Sequence, residues 1–247
     1  MNFKLVSVYL GLSVCAAMSV EVATACPDQN TVKAAVEKSF AGGPPVTVKN
    51  IAPSAMPELC DVVVESQGQK RIVYTDTKGK YLIAGQLFSS DGKNLTKEAI
   101  SELNKFTAQD MQKLAELTAF TVGNKGPVVY FVTDPQCPYC NKGKDIIFPM
   151  AKAGEVQVKV LFYPLPFHKG AKEECISVIC DNKGEEGMAS RYRSENQCEA
   201  GKKKVEDAVS FLTSKGITGT PAYIFSDGKP NIGFLDQAPL KEKLVGK

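Results

Sequence analysis

The 247-residue chain has no tryptophan and a single histidine, His168. A Ser-His-Asp hydrolase or a His-rich metal centre would have to be built on that one imidazole. It lies in Leu165-Pro166-Phe167-His168-Lys169-Gly170, where Pro and Gly mark a loop or helix start. Charge of one sign is also scarce: the formal net charge is +3, too small to imply nucleic acid. Lys202-Lys203-Lys204 reads as a solvated helix face. No internal repeat or low-complexity tract interrupts a composition of 43% apolar and 23% charged residues, ordinary for a soluble globular protein. What the chain does have is sulfur, in eight cysteines: Cys15, Cys26, Cys60, Cys137, Cys140, Cys175, Cys180 and Cys198.

The first 25 residues have the pattern of an export signal. Lys4 precedes the apolar run Leu5 to Val20, and Ala23-Thr24-Ala25 offers small residues at the −3 and −1 positions. As a helix the run would span only ~24 Å, short of the ~30 Å hydrocarbon core of a bilayer. Cys15-Ala16-Ala17 is an alternative cleavage point. Cleavage after Ala25 makes Cys26 the first mature residue and raises lipid attachment there, against which Ala23 stands in place of the usual leucine. Export favours disulfides. Loss of Cys15 leaves seven cysteines, so at least one is unpaired or pairs between chains.

The chain is organised around Asp134-Pro135-Gln136-Cys137-Pro138-Tyr139-Cys140. The β-forming run Val128 to Thr133 leads into it and the helix-compatible stretch Asn141 to Ala151 follows. Cys-x-x-Cys between a strand and a helix reads as a redox dithiol. Pro138 suits the first helical position, which puts Cys137 at the N-cap, facing free amides and the positive end of the helix dipole. The thiolate is the nucleophile, and a thiol of ordinary pKa is only about 3% ionised at neutral pH. Lowering a thiol's pKa by ~2 units takes about 2.7 kcal/mol. The dipole offers roughly 0.3–1 kcal/mol, at best ~2, so direct hydrogen bonds from backbone amides and the second thiol must supply the rest. Cys137 is then the exposed attacking sulfur and Cys140 the buried resolving one. A structural bridge, or a zinc site drawn from Cys137, Cys140, Cys175 and Cys180, is the rival.

Elsewhere, 31–40 has helical spacing, with Val32, Ala35, Val36 and Phe40 near one face and Gly42-Gly43-Pro44-Pro45 as a stop. Strands are expected at 46–51, 60–65, 71–75 and 81–88, with turns at Gly68 and Lys78-Gly79. Residues 96–118 are helical in pattern, about 33 Å if continuous, with a capping signal at Thr107–Asp110 where the helix may break. A strand at 156–162, helices over 169–212, a strand at 223–225, a turn at 226–229, a strand near 232–234 and a closing helix at 239–245 complete the chain.

Gly219-Thr220-Pro221 precedes the strand-like Ala222-Tyr223-Ile224-Phe225. Together with Cys137-Pro138-Tyr139-Cys140, this resembles the bacterial periplasmic disulfide isomerases, the DsbC/DsbG family, over roughly residues 28–240. The resemblance implies an α+β, cystatin-like N-terminal dimerisation domain (26–90), a helical linker (91–119) and an α/β thioredoxin fold with an α-helical insertion (120–247). It implies a cis Thr220–Pro221 bond beside the dithiol, with Thr220, Pro221 and Tyr139 contacting substrate. Cys180 and Cys198 occupy places resembling the family's structural disulfide, worth about 3 kcal/mol in the chain-entropy model; Cys26 and Cys60 are left as a guess, and Cys175 without a partner. The implied protein is a periplasmic homodimer without cofactor or metal. It would act on misoxidised exported proteins and be kept reduced by a membrane reductase of the DsbD type. Asp134-Pro135 and the Cys-Pro-Tyr-Cys motif look closer to DsbG than to DsbC, which brings in reduction of cysteine sulfenic acids and chaperone activity. A dithiol oxidase is the remaining alternative.

Overall fold

The computed structural model describes residues 25–245, so the export signal and Cys15 lie outside the described residues. Helix α1 (Gln29–Ser39) starts at Asp28, whose carboxylate accepts from the amides of Asn30 and Thr31. It buries Val32 and Val36, while Phe40 stays exposed. These valines pack on an antiparallel sheet of β1 (Thr47–Pro53), β2 (Leu59–Ser66), β3 (Gln69–Asp76) and β4 (Leu82–Ile83), in that order. Val48, Val62, Val64 and Val73 complete this small core. A disulfide joins Cys26 to Cys60 of β2, with 5.9 Å between the Cα atoms. A sulfur held in that bridge cannot carry a thioether lipid, which removes the lipid-anchor option at Cys26.

The strand expected over 81–88 is only two residues long. Beyond Ile83 the chain leaves β3. The Leu87 amide instead donates to Thr96 Oγ1 at 2.7 Å, and the Leu87 carbonyl accepts from the Leu95 amide at 2.9 Å. These bonds take the backbone into helix α2 (Leu95–Leu103). Residues 96–118 are not one rod. Asn104 ends α2, and its side-chain amide grips both polar groups of the Lys70 backbone at 2.9 and 2.8 Å. Thr107 and Asp110 then form a reciprocal capping box for α3 (Ala108–Leu117). Leu114 and Leu117 of α3 are buried with Tyr130, Val132, Leu161, Leu212 and Ala222. The second half of the expected spacer is therefore part of the following core, and the ~33 Å arm does not exist.

That core surrounds a five-stranded sheet, β5 (Phe120–Val122), β6 (Val128–Thr133), β7 (Gln157–Phe162), β8 (Ala222–Ile224) and β9 (Pro230–Ile232), ordered β5-β7-β6-β8-β9. Only β6 and β7 run parallel. The crossover between them holds helix α4 (Pro138–Lys152), which packs Ile147, Phe148 and Ala151 onto one face of the sheet. The insertion after β7 contains α5 (Ala171–Cys180), α6 (Gly184–Ser190) and α7 (Glu199–Ser214). A disulfide from Cys180 at the end of α5 reaches Cys198 at the N-cap of α7. Gly201 leaves it room, because a Cβ there would meet Cys180 Sγ at 2.5 Å. Helix α8 (Gln237–Leu244) closes the domain and buries Leu240. Among the described residues no helix is long and apolar enough to cross a membrane.

Candidate active site

Strand β6 ends on the buried residues Thr133 and Asp134. The chain must turn there to start α4, and Asp134 shapes the turn. Its Oδ1 accepts from the Gln136 amide at 2.7 Å and its carbonyl from the Cys137 amide at 3.1 Å. Cys137 follows as the N-cap of α4, and its sulfur accepts from the Cys140 amide at 3.4 Å. Pro138 fills the first helical position, where a missing N–H costs nothing. The loop before β8 meets this turn from the other side. Thr220–Pro221 is a cis peptide bond, and the Thr220 carbonyl lies 3.7 Å from Cys137 Sγ.

The two sulfurs differ less in exposure than expected. Cys137 is 5% exposed and Cys140 1%, so Cys137 is not an exposed thiol. The loop carrying Thr220 and Pro221 packs over its sulfur and leaves a narrow approach. Burial pushes the Cys140 thiol up to about 12, and the neighbouring Cys137 adds to the shift. Tyr139, between them, is 59% exposed. Its ring lies 6.4 Å from that of Phe234, just beyond β9, and 5.3 Å below the Lys142 ammonium. With the exposed Ile232, these rings give the dithiol an apolar rim.

Two further cysteines of the proposed zinc set are accounted for. Cys180 is bonded to Cys198, which breaks the set. Cys175 is a free thiol, completely buried on α5, and burial together with the Asp134 and Glu174 charges holds it in its protonated form.

The motif alone did not disclose a polar network behind the turn. Asp134 Oδ2 accepts from the Leu165 amide at 2.7 Å and lies 2.9 Å from His168 Nδ1. His168 is indeed a loop residue, but it is the partner of a fully buried carboxylate. Gln136 Nε2 donates to the Lys169 carbonyl at 2.8 Å and to Glu174 Oε1 at 2.9 Å; Glu174 is paired with Arg191 at 3.2 Å. The active-site turn is thus tied to residues 165–169 and to the insertion. Asp134-Pro135 was the available signal, since Asp before Pro favours a turn whose side chain bonds its own backbone.

Residues 115–245 match the thioredoxin-like domain family, and residues 23–97 match the family described as disulfide bond isomerase protein N-terminal domain. The chain belongs to the DsbC/DsbG family of thioredoxin-fold proteins. Among individual relatives, thiol:disulfide interchange protein DsbG of Pseudomonas aeruginosa is 23% identical over 194 residues, covering 73% of this chain and 75% of that protein. Thiol:disulfide interchange protein DsbC of Escherichia coli K12 is 23% identical over 179 residues, covering 70% and 72%. A linker-deletion mutant of ScsC from Proteus mirabilis superposes with a TM-score of 0.50 at 20% identity, covering 60% of this chain and 84% of that one, a likeness of fold alone. Members of the DsbC/DsbG family are thiol–disulfide oxidoreductases, and the sulfur pair at the mouth of α4 is where this chain offers such chemistry.

Proposed function

We propose that the protein is a periplasmic disulfide isomerase and reductase of misoxidised exported proteins, working through Cys137 and Cys140. The observation that carries this is the placement of Cys137 Sγ between the Cys140 amide, at 3.4 Å, and the carbonyl before a cis proline, at 3.7 Å. Cys137 as thiolate attacks a non-native disulfide, forming a mixed disulfide and releasing one substrate thiolate. A second substrate thiol then attacks, giving isomerisation and returning Cys137. Alternatively Cys140 attacks Cys137, giving reduction and leaving the internal disulfide. Thr220 and Pro221 receive the substrate backbone beside the sulfur, and Tyr139 packs against its apolar side chains. The buried state of Cys140 favours the first route, since a thiol pushed to about 12 is a slow nucleophile near neutral pH and leaves time for substrate rearrangement.

An internal disulfide must be reduced again, which calls for a membrane reductase of the DsbD type. Phe40, Tyr81, Ile83 and Phe88 are exposed apolar residues of the N-terminal domain, a surface suited to a two-fold interface. A core this small is marginal by itself, so a homodimer is proposed, with light scattering as its check. Refolding of scrambled ribonuclease tests the catalytic reading. Cys137→Ser abolishes it, whereas full activity in that variant would leave only a non-enzymatic holdase. Reduction of cysteine sulfenic acids is a second reading, favoured by Asp134-Pro135 ahead of Cys-Pro-Tyr-Cys. It needs the same attack by Cys137 on a singly oxidised sulfur. Thiol trapping of the protein taken directly from cells separates both from a dithiol oxidase: mostly reduced protein supports them, and mostly oxidised protein supports the oxidase.

A further inference from the structure

Among the described residues four buried side-chain oxygens have no hydrogen-bond partner: Asp61 Oδ1, Thr133 Oγ1, Thr220 Oγ1 and Tyr223 Oη. Three of them sit on the segments that carry the dithiol. Tyr223 is the one the reaction described above does not use. It is the middle residue of β8, two positions after Pro221, and it is completely buried. Its ring lies 5.3 Å from that of Phe131 and 6.5 Å from that of Phe225. An apolar slot of this kind would suit phenylalanine, yet it holds a phenol whose oxygen reaches the underside of α4. There Gly143, one turn after Cys140, makes space for it: a Cβ at Gly143 would lie 2.5 Å from Tyr223 Oη. The hydroxyl is close enough to Cys140 for their charges to interact, and the Leu235 amide leans towards it without bonding. An unmet buried hydroxyl carries a desolvation cost, so its retention at this spot calls for a partner that arises only during the reaction.

We propose that Tyr223 is a positioning residue for the resolving step, its hydroxyl donating a hydrogen bond to the Cys140 sulfur as that sulfur becomes negatively charged. The inference rests on the roles given to Cys137 and Cys140 under the proposed function. In the balanced step, Cys137–S–S–R and the Cys140 thiol become the Cys137–Cys140 disulfide and R–SH. The S–S bond to the substrate breaks, the internal S–S bond forms, and the Cys140 proton ends on the departing substrate thiolate. Tyr223 keeps its own proton throughout, because burial pushes its phenol well above the usual range. In the reverse direction, when a reductase opens the internal disulfide, the same hydroxyl receives Cys140 as the leaving thiolate. Isomerisation, which bypasses Cys140, does not use it.

Tyr223→Phe tests this in the full chain. Reduced protein is treated with dithionitrobenzoate. The first thionitrobenzoate released reports attack by Cys137, and the second reports attack by Cys140. The variant should load Cys137 at the wild-type rate but release the second thionitrobenzoate roughly tenfold more slowly, the scale of one hydrogen bond to an ionised group. Its pH profile for the second release should shift to higher pH, and its melting temperature should not fall. Normal loading with an unchanged second release would overturn the inference and leave the dithiol reading intact. Slowing of both steps alike would also overturn it, since that is general damage. Failure of wild-type Cys137 to load would instead defeat the dithiol reading, and this inference with it. Gly143→Ala, which displaces the hydroxyl while keeping the tyrosine, should reproduce the slow second release.

Discussion

Replacing Asp134 by asparagine isolates what the buried carboxylate does for the active-site turn. Asp134 is 0% exposed and accepts from two backbone amides at 2.7 Å each, with His168 Nδ1 at 2.9 Å. Asparagine keeps the volume but only one acceptor oxygen. Its amide nitrogen must face either the Gln136 or the Leu165 N–H, donor to donor. Leaving one buried donor unmet costs ~1–3 kcal/mol, and losing the charge from the remaining bonds adds roughly 1 kcal/mol. Asp134→Asn should therefore lose about 2–4 kcal/mol in urea unfolding. His168→Ala should lose less, about 1–2 kcal/mol, because its side chain is 18% exposed and Oδ2 keeps its bond to Leu165. The decisive figure is the coupling. If the imidazole acts on the chain through Asp134, the double variant will fall short of the sum of the single losses by about 1 kcal/mol. Additivity within ~0.5 kcal/mol would refute the pairing as an energetic unit. Loss of stability in His168→Ala with unchanged Cys137 alkylation would mean that the staple holds the 165–169 loop and not the sulfur.

Removing the Cys180–Cys198 bridge with paired alanines frees a loop of sequence separation 18. It should cost about 3 kcal/mol by chain entropy, read as a lower urea midpoint with Cys137 alkylation unchanged. Cys140 and Cys175 both have raised thiol pKa values. Below an unfolded value of ~8.5 neither state loses the proton, and above it the unfolded chain ionises first. Stability of the reduced protein should thus fall between about pH 8.5 and 12, by up to ~1.4 kcal/mol per pH unit for each thiol. Cys175→Ala should reduce that slope, as denaturant melts at pH 8 and 10 under reducing conditions will report. Tyr139→Ala should raise KM for a peptide disulfide severalfold with little change for a small aromatic disulfide, if its ring contacts substrate.

The apolar runs at 128–133 and 157–162 announced the central strands because they are buried on both faces, which leaves a plain β signal. The start of α4 was equally legible: proline one place after a cysteine leaves few other geometries. The capping box at Thr107 was visible, but not that Leu114 and Leu117 would join the catalytic core, since an apolar helix face does not say what covers it. Phe120–Val122 is too short to show a period, and the stretch after Ile83 lost its strand to bonds made by Thr96, a partner set by tertiary contact. Cys26 and Cys60 could be read only as two thiols among seven. His168 and Tyr223 taught most. Their residue types were plain, while their roles come from where a turn and a strand point them, which no spacing in the chain records.

The two bridges at Cys26–Cys60 and Cys180–Cys198 carry an obligation for the cell. A catalyst whose working sulfurs must stay supplied with electrons is itself assembled by having electrons taken away, in the same compartment. Its manufacture and its upkeep therefore draw on opposite currents, and the machinery that finishes the newborn chain must pass over Cys137 and Cys140 or be undone there afterwards. The narrow mouth above Cys137 is suited to that discrimination, admitting a chain threaded past the proline and slowing broad collisions with an oxidant.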